Sequence, residues 1–572
     1  MVSDTFSRFK SEVSTVLADA LAKLGVDSPV VLDIAPDGMG DLAFPCFPLA
    51  KQMRKAPNVI AQELASSIMA GDLIEKVEAK GGYVNFHVGY DGLAQSVIED
   101  ALARKDRYGA GEPKKDKILL EHTSANPTGP LHVGRARNPI IGDTLARVMR
   151  MAGYDVSTEF YVNDVGRQVV VMTWGVKHLK LDDEPDRDAD HYRYVLYYQK
   201  ANKCAEEDPA ILKQMDEMLY KLEHGDEETV AIARENCERV LQEIKKSMKR
   251  LNIEYDGITW ESKFVQDGSV DRVIEALKRS EFSVEVDGAY HLELESFGIS
   301  GRETKWVFTR SDGTSLYTTR DLAYHLDKFS RTDIPINVLG EDQKLGMQEL
   351  AAALKIMGVD RKPDVVFYSF VSLPEGRMST RKGRVVYIDD LIEEATERAY
   401  EEVKRRRPDI SEEKMRGIAR VVGVGSLRYN IIRIQAEKQI VFKWEDALNF
   451  EGASAPFVQY AHARACSIMN KAVELSGKFD ARHLITDHEK ALVKIISRFP
   501  SIIEDCADNR RAHPLAAYAQ ELAAQFNQFY RYIPVLKAEG EVREARLALV
   551  EASRWTIRNT LMCLGIDAPE EM

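Results

Sequence analysis

Residues 121–137, EHTSANPTGPLHVGRAR, constrain the fold more than any other part of this chain. A short apolar run, Ile118-Leu119-Leu120, leads into them with a strand's length. Asn126-Pro127-Thr128-Gly129-Pro130 is turn chemistry that neither a helix interior nor a central strand tolerates. Beyond the turn, Ile140, Ile141, Leu145, Val148 and Met149 share one helical face, and Gly153 ends that helix in the C′ manner. Residues 156–162 read as the next strand. Strand, helix and strand at this spacing predict a parallel crossover and a doubly wound sheet. The loop between strand and helix N-terminus is then a ready-made anion site, where Gly134 lets backbone approach a nucleotide closely.

The 572 residues exceed one compact core, so about two to four domains are expected. Residues 1–112 read as a separate α/β domain. Phe6, Phe9, Val13, Val16, Leu17, Leu21 and Leu24 recur at helical spacing, a Gly/Pro-rich segment follows, and a second helix falls near residues 58–70. Tyr83-Val84-Asn85-Phe86-His87-Val88 is strand-like, and Gly109, Gly111, Pro113 and Lys114 mark a linker. Residues 113–395 carry the α/β pattern, with strands expected at 336–339 and 365–368 and a helix at about 343–357. A charged, helical insertion interrupts this pattern at about 181–255. From about Leu391 strands are expected to disappear. Leu515, Tyr518, Leu522, Phe526 and Phe529 form one helical stripe, and Leu547, Val550, Ile557, Leu561 and Leu564 another, so residues 396–572 read as an all-α bundle.

Composition narrows the function. The amphipathic N-terminal helix lacks a basic region followed by an apolar one, and no apolar run is long enough to cross a membrane. A cytoplasmic protein without membrane contact is expected. Cys46, Cys204, Cys237, Cys466, Cys506 and Cys563 are scattered without zinc-ligand spacing, so no protein-held metal is expected. The net charge of −13 opposes nucleic-acid binding for the chain as a whole. A basic face can still be local in a large multidomain chain.

Two loops carry the chemistry. His132, in His132-Val133-Gly134-Arg135, can donate to phosphate oxygens as charge moves onto a leaving pyrophosphate. Far downstream, Arg377-Met378-Ser379-Thr380-Arg381-Lys382-Gly383 sets cations and a serine on a glycine-ended loop suited to close over a triphosphate. Either piece alone reads as a surface loop. Together, each after a predicted strand, they resemble the HIGH and KMSKS signatures of class I aminoacyl-tRNA synthetases.

The resemblance is to the arginyl-tRNA synthetase family in particular, and it runs nearly end to end. GDLAFPCFPLAK and GGYVNFHV resemble that family's extra N-terminal domain, YVNDVGRQ and LYTTRDLAYHLDK its Rossmann-type catalytic domain, and NFEGASAPFVQYAHARACSI and ELAAQFNQFYRYIPVL its helical anticodon-binding domain. The implied activity is arginine activation with ATP, accompanied by Mg2+, and transfer to tRNA, with activation requiring bound tRNA. No tightly bound cofactor is implied, and a monomer is expected.

The resemblance implies residue roles. Pro130, His132, Gly134, Arg135, Asn138, Ser379 and Arg381 would bind ATP, with His132, Arg135, Arg381 and Lys382 catalytic. Glu121, Ser124, Asn126, Tyr317, Asp321 and Gln343 would hold arginine. Asp321 would pair with the guanidinium, which asks for planar carboxylate partners, and Tyr317 would pack on the side chain. Asn126 and Gln343 would hold the amino-acid end or the nearby ribose, and Glu121 the guanidinium or the α-amino group. Phe457, Arg464 and Met572 are tRNA candidates, with Trp555 balanced between base stacking and helix packing. Lys404-Arg405-Arg406-Arg407 is a candidate phosphate contact, although charge runs usually just face solvent.

The chain departs from the basic residues of the signatures at three positions. Arg135 replaces the second histidine of HIGH, and Arg377 and Thr380 replace the two lysines of KMSKS. A lysine placed before the first signature, which compensates in some relatives, is Gly129 here. Arg381 and Lys382 are the nearest substitutes. Two alternatives fit the residues less well. A non-catalytic RNA-binding paralogue need not keep Tyr317, Asp321 and Gln343, and another class I synthetase would not need a carboxylate for a cationic substrate.

Overall fold

A computed structural model of the chain describes residues 5–35, 39–182, 184–185, 187–299, 305–372, 386–449, 452–472 and 477–572. Its N-terminal part pairs β1 (Asp33–Ile34), β2 (Leu42–Pro45), β3 (Ile74–Lys80) and β4 (Tyr83–Val88) as an antiparallel sheet in the order β1-β2-β4-β3. Gly81 and Gly82 make the two-residue β3–β4 turn with φ of +60° and +85°, a left-handed pair that matches strand twist and favours glycine. The first helix, Thr5–Lys23, buries Phe6, Phe9, Val13, Leu17 and Leu21 against this unit, which is the face its periodicity predicts.

The central part contains β5 (Lys117–Glu121), β6 (Asp155–Val162), β7 (Gly257–Trp260), β8 (Ser283–Val286), β9 (Ala289–Glu293), β10 (Lys305–Thr309), β11 (Ile334–Gly340) and β12 (Asp364–Tyr368). Five of these make a fully parallel sheet in the order β12-β11-β5-β6-β7. The chain leaves β5 towards β6 and returns on the other side of β5 with β11. The strand order therefore reverses between β5 and β11, and the crevice at their carboxyl ends is where such sheets take ligands. Helices Asp190–Glu207, Pro209–Glu223 and Glu227–Arg250 stand between β6 and β7, and β8–β10 form a small antiparallel sheet.

The C-terminal part is helical, and its last two helices, His513–Tyr532 and Gly540–Cys563, bury both predicted stripes. One expectation fails here: strands do not end by Leu391. Ile440–Val441 pairs in parallel with Val371–Ser372. A two-residue strand is too short to show periodicity in sequence.

Buried arginines lock these parts together. Arg428, from helix Glu412–Ile432, is fully buried. It meets Asp143 Oδ2 at 2.5 Å and donates to Leu564 O at 2.9 Å and Leu251 O at 2.7 Å. Gly565 passes so close that a Cβ there would lie 2.0 Å from the guanidinium, so glycine is required. Arg137 is also fully buried and donates to the carbonyls of Ser369, Ile434, Gln435 and Lys438 at 2.6–3.3 Å.

Candidate active site

The first signature loop begins at the end of β5 with two non-glycine residues in the left-handed region, Thr123 at φ +73° and Ser124 at φ +31°. Such conformations cost free energy and persist only where surrounding bonds fix them. Here Thr123 N–H donates to Asn138 Oδ1, and Asn138 Nδ2 donates to Val338 O at 2.8 Å. Ser124 Oγ accepts from Tyr161 N–H at 3.2 Å. Asn138, expected to bind ATP, thus spends both ends of its amide tying β11 to the loop after β5, while still lining the cavity between them.

His122 anchors the same loop from below. It is fully buried, packs against Gly142, and its Nδ1 lies 3.0 Å from Thr123 Oγ1, which lies 2.6 Å from the Tyr255 hydroxyl. Burial pushes this imidazole down from 6.5 to about 4. Between those values the unfolded chain binds more protons than the folded one, so stability is full above about pH 6.5 and falls as pH drops towards 4. The whole interval is worth about 3 kcal/mol. Urea midpoints at pH 7.5 and 5.0 should therefore differ less in His122→Gln than in the unchanged protein. An equal acid loss in both would rule out His122 as the titrating group.

His132 caps a short turn, Val133–Arg135, ahead of helix Arg137–Met151. Its Nδ1 accepts from Gly134 N–H at 3.0 Å, which puts the ring proton on Nε2 as a donor. Burial and the neighbouring Arg135 hold the imidazole below its usual range, which favours this neutral form. The flanking backbone is laddered to residues 386–388: Val133 N–H donates to Val386 O at 3.0 Å, and Ile388 N–H to Leu131 O at 2.9 Å. Arg377, Ser379, Thr380, Arg381 and Lys382 lie outside the described residues.

All six residues expected to hold arginine line one cavity of about 520 Å³ at the β5/β11 switch point: Glu121, Ser124, Asn126, Tyr317, Asp321 and Gln343. Arg135 and Asn138 line it too, whereas Pro130, His132 and Gly134 do not. Tyr317 stands exposed at the start of helix Tyr317–Arg331. Burial raises the Asp321 carboxyl, but His325 and Lys328 more than offset this and leave it below the usual carboxylate range. Asn126 Nδ2 donates to Gln168 Oε1 at 2.9 Å, and Gln343 Nε2 to Asp342 Oδ2 at 3.2 Å. Glu121 is buried and ion-paired with Lys328.

The sequence reading missed several lining groups. Glu261, at the end of β7, is buried against Arg320, and burial lifts its carboxyl to about 7, which the arginine only partly offsets. Glu223, the last residue of the inserted helix Pro209–Glu223, accepts from Arg310 Nη1 at 2.8 Å and has a second oxygen 3.6 Å from Arg320 Nη1. Neither carries a local pattern, because each reaches the cavity only through sheet order or insertion docking. The cavity therefore gathers Glu121, Glu223, Glu261, Asp321 and Asp342, of which Glu121, Glu223 and Glu261 already face Lys328, Arg310 and Arg320. Among the described residues no group of three His, Cys, Asp or Glu side chains is placed to hold a metal ion.

In the C-terminal bundle, Arg464 lies between the exposed rings of Tyr460 and Tyr530, at 4.6 and 4.4 Å, and donates to Asn527 Oδ1 at 2.5 Å. Phe457 is half-buried, and Trp555 Nε1 donates to Glu551 at 2.8 Å. The backbone carbonyl of Met572 accepts from Arg407 at 2.7 Å, while Arg405 and Arg406 pair with Glu402 and Lys404 lies over the Tyr400 ring.

A doubly wound sheet with the first signature loop at its switch point, joined to a helical bundle, defines the class I aminoacyl-tRNA synthetase fold. Methionyl-tRNA synthetase of Mycobacterium tuberculosis shares the fold, with a TM-score of 0.50 at 15% identity over 80% of this chain and 92% of that one. The family profile for "tRNA synthetases class I (R), catalytic domain" matches residues 97–444, "DALR anticodon binding domain" residues 458–572 and "Arginyl tRNA synthetase N terminal domain" residues 9–88. Arginine–tRNA ligase of Methanocella arvoryzae is 50% identical over 92% of each chain. That of Methanothermobacter thermautotrophicus is 44% identical over 99% of this chain and 100% of its own. The arginyl-tRNA synthetase of Thermus thermophilus superposes with a TM-score of 0.83 at 31% identity, over 98% of this chain and 100% of that one. The chain belongs to the arginyl-tRNA synthetase family.

Proposed function

We propose that this chain, as an arginine–tRNA ligase, binds arginine and ATP in the cavity at the β5/β11 switch point. The observation that carries this reading is the convergence of Glu121, Ser124, Asn126, Tyr317, Asp321 and Gln343, from three separate stretches of chain, on one cavity. Asp321 pairs with the guanidinium and Tyr317 covers the side chain. Asn126 and Gln343 hold the amino-acid end or the ribose, and Glu121 takes the guanidinium or the α-amino group. The arginine carboxylate, already ionised, attacks the α-phosphorus of ATP to give arginyl-adenylate and pyrophosphate. No general base is required, so positioning and charge stabilisation carry the step. His132 Nε2–H and Arg135 donate to phosphate, with Pro130, Gly134 and Asn138 shaping the nucleotide side. Ser379, Arg381 and Lys382 complete the pyrophosphate contacts. Mg2+ enters with the phosphates of ATP.

Arginine then passes to the terminal adenosine of tRNA. Residues 1–112 contact the tRNA body, 113–395 carry the chemistry with 181–255 as an insertion, and 396–572 read the anticodon through Phe457, Arg464 and Met572. The exposed faces of Tyr460 and Tyr530 beside Arg464 offer the stacking surface that single-stranded bases use. The enzyme works as a cytoplasmic monomer, and activation requires bound tRNA. In an ATP–pyrophosphate exchange assay with arginine, exchange is expected only when tRNA is added. Exchange without tRNA would remove the tRNA requirement. No arginine-dependent exchange under either condition would overturn the enzymatic reading.

A further inference from the structure

We propose that Lys328 is a positioning residue for arginine recognition, acting through Asn337 and His325 to hold Glu121 and Asp321 as one unit. The inference rests on the arginine site proposed above. Lys328 is fully buried, and burying an ammonium is costly unless it is paired and hydrogen-bonded. Its Nζ is ion-paired with Glu121 Oε2, donates to Asn337 Oδ1 at 2.7 Å and lies 4.1 Å from the centre of the Tyr324 ring.

An ammonium has no acceptor, so the Asn337 oxygen must face it and the amide nitrogen must face away. That nitrogen donates to His325 Nε2 at 2.8 Å. With Nε2 accepting, the ring proton sits on Nδ1, which lies 3.2 Å from Asp321 Oδ1 and 2.8 Å from the Asp321 carbonyl. Every donor thus points the same way, from ammonium to amide to imidazole to carboxylate, and such chains reinforce one another.

The chain of bonds joins three elements around the switch point: Glu121 on β5, Asn337 on β11 and the helix Tyr317–Arg331. On that helix Tyr317, Asp321, His325 and Lys328 follow at helical spacing, so the positioning stripe continues the substrate stripe. A buried ion pair contributes little to stability beyond what an apolar pair would give. What this one provides is orientation, fixing a buried and a partly exposed carboxylate relative to each other. Guanidinium recognition needs such geometry, because its donors form a rigid planar fork.

The test measures kcat and both KM values in tRNA-dependent exchange, with folding checked by circular dichroism. Asn337→Ala is expected to raise KM for arginine about tenfold and Lys328→Met about 30-fold or more, with KM for ATP within about twofold. In an Asp321→Asn background, Asn337→Ala should add about threefold or less, because its path through His325 and Asp321 is already broken and only that through Lys328 and Glu121 remains. A merely structural role predicts the reverse: lower kcat in step with the folded fraction, unchanged KM values, and full additivity with Asp321→Asn. If Lys328→Met does not fold, Asn337→Ala decides alone, and an unchanged KM for arginine in that folded variant overturns the proposal. Absence of arginine-dependent exchange in the unchanged protein would instead overturn the site reading.

Discussion

Asp321→Asn should lower kcat/KM for arginine more than a hundredfold while leaving KM for ATP within about twofold. The substitution keeps size and most hydrogen bonding but removes the charge proposed above to face the guanidinium. Truncating one partner of a close, partly desolvated charge pair costs about 2–5 kcal/mol, and about 3 kcal/mol corresponds to roughly 160-fold. Asp321 is well placed for such a loss, because its carboxyl is held below the usual range and stays ionised at neutral pH. Losing binding common to ground and transition states appears in KM, and losing it only in the transition state appears in kcat. The expected signature is a KM effect confined to arginine. Unchanged arginine kinetics would remove the guanidinium role from Asp321 and shift it to Glu121 or Glu261.

The second large effect concerns the junction between the catalytic sheet and the helical bundle. Arg428→Met should destabilise the protein by about 3–5 kcal/mol, because it strands the buried Asp143 carboxylate and leaves the Leu251 and Leu564 carbonyls without their donor. Arg147 still reaches Asp143 at 2.7 Å, so the loss is not total. Urea denaturation followed by tryptophan fluorescence would read the change as a lower midpoint. The double change Asp143→Leu with Arg428→Met should cost less than Arg428→Met alone, since no fully buried charge is then left unpaired and the partly exposed Arg147 keeps the Asn252 carbonyl. A single variant as stable as the unchanged protein would show that Asp143 is compensated by Arg147 alone.

Particular elements show what could be read without coordinates. Pro127, Gly129 and Pro130 forbid regular structure, so the turn at the end of β5 was legible, as were the helix ended by Gly153 and the stripes of the last two long helices. These are local: backbone restriction and 3.6-residue periodicity are encoded within a few residues. The short pairing of Ile440–Val441 was not legible, because two residues carry no period. Asn138 shows a subtler limit. Its place near the nucleotide loop was readable, but not the two internal bonds that occupy its amide.

By itself, then, the sequence determined the doubly wound sheet, the glycine-bearing turn after β5, the helical bundle and the residue types that line the switch-point cavity. Only the tertiary structure decided which groups share that site. Glu261 arrives through the position of β7 in the sheet, Glu223 through the docking of the insertion, and Lys328 through a relay across β5, β11 and a helix. The physical reason is the same for all three. Hydrogen bonds and ion pairs depend on distances of a few ångströms between atoms far apart in the chain, and no local propensity specifies those distances.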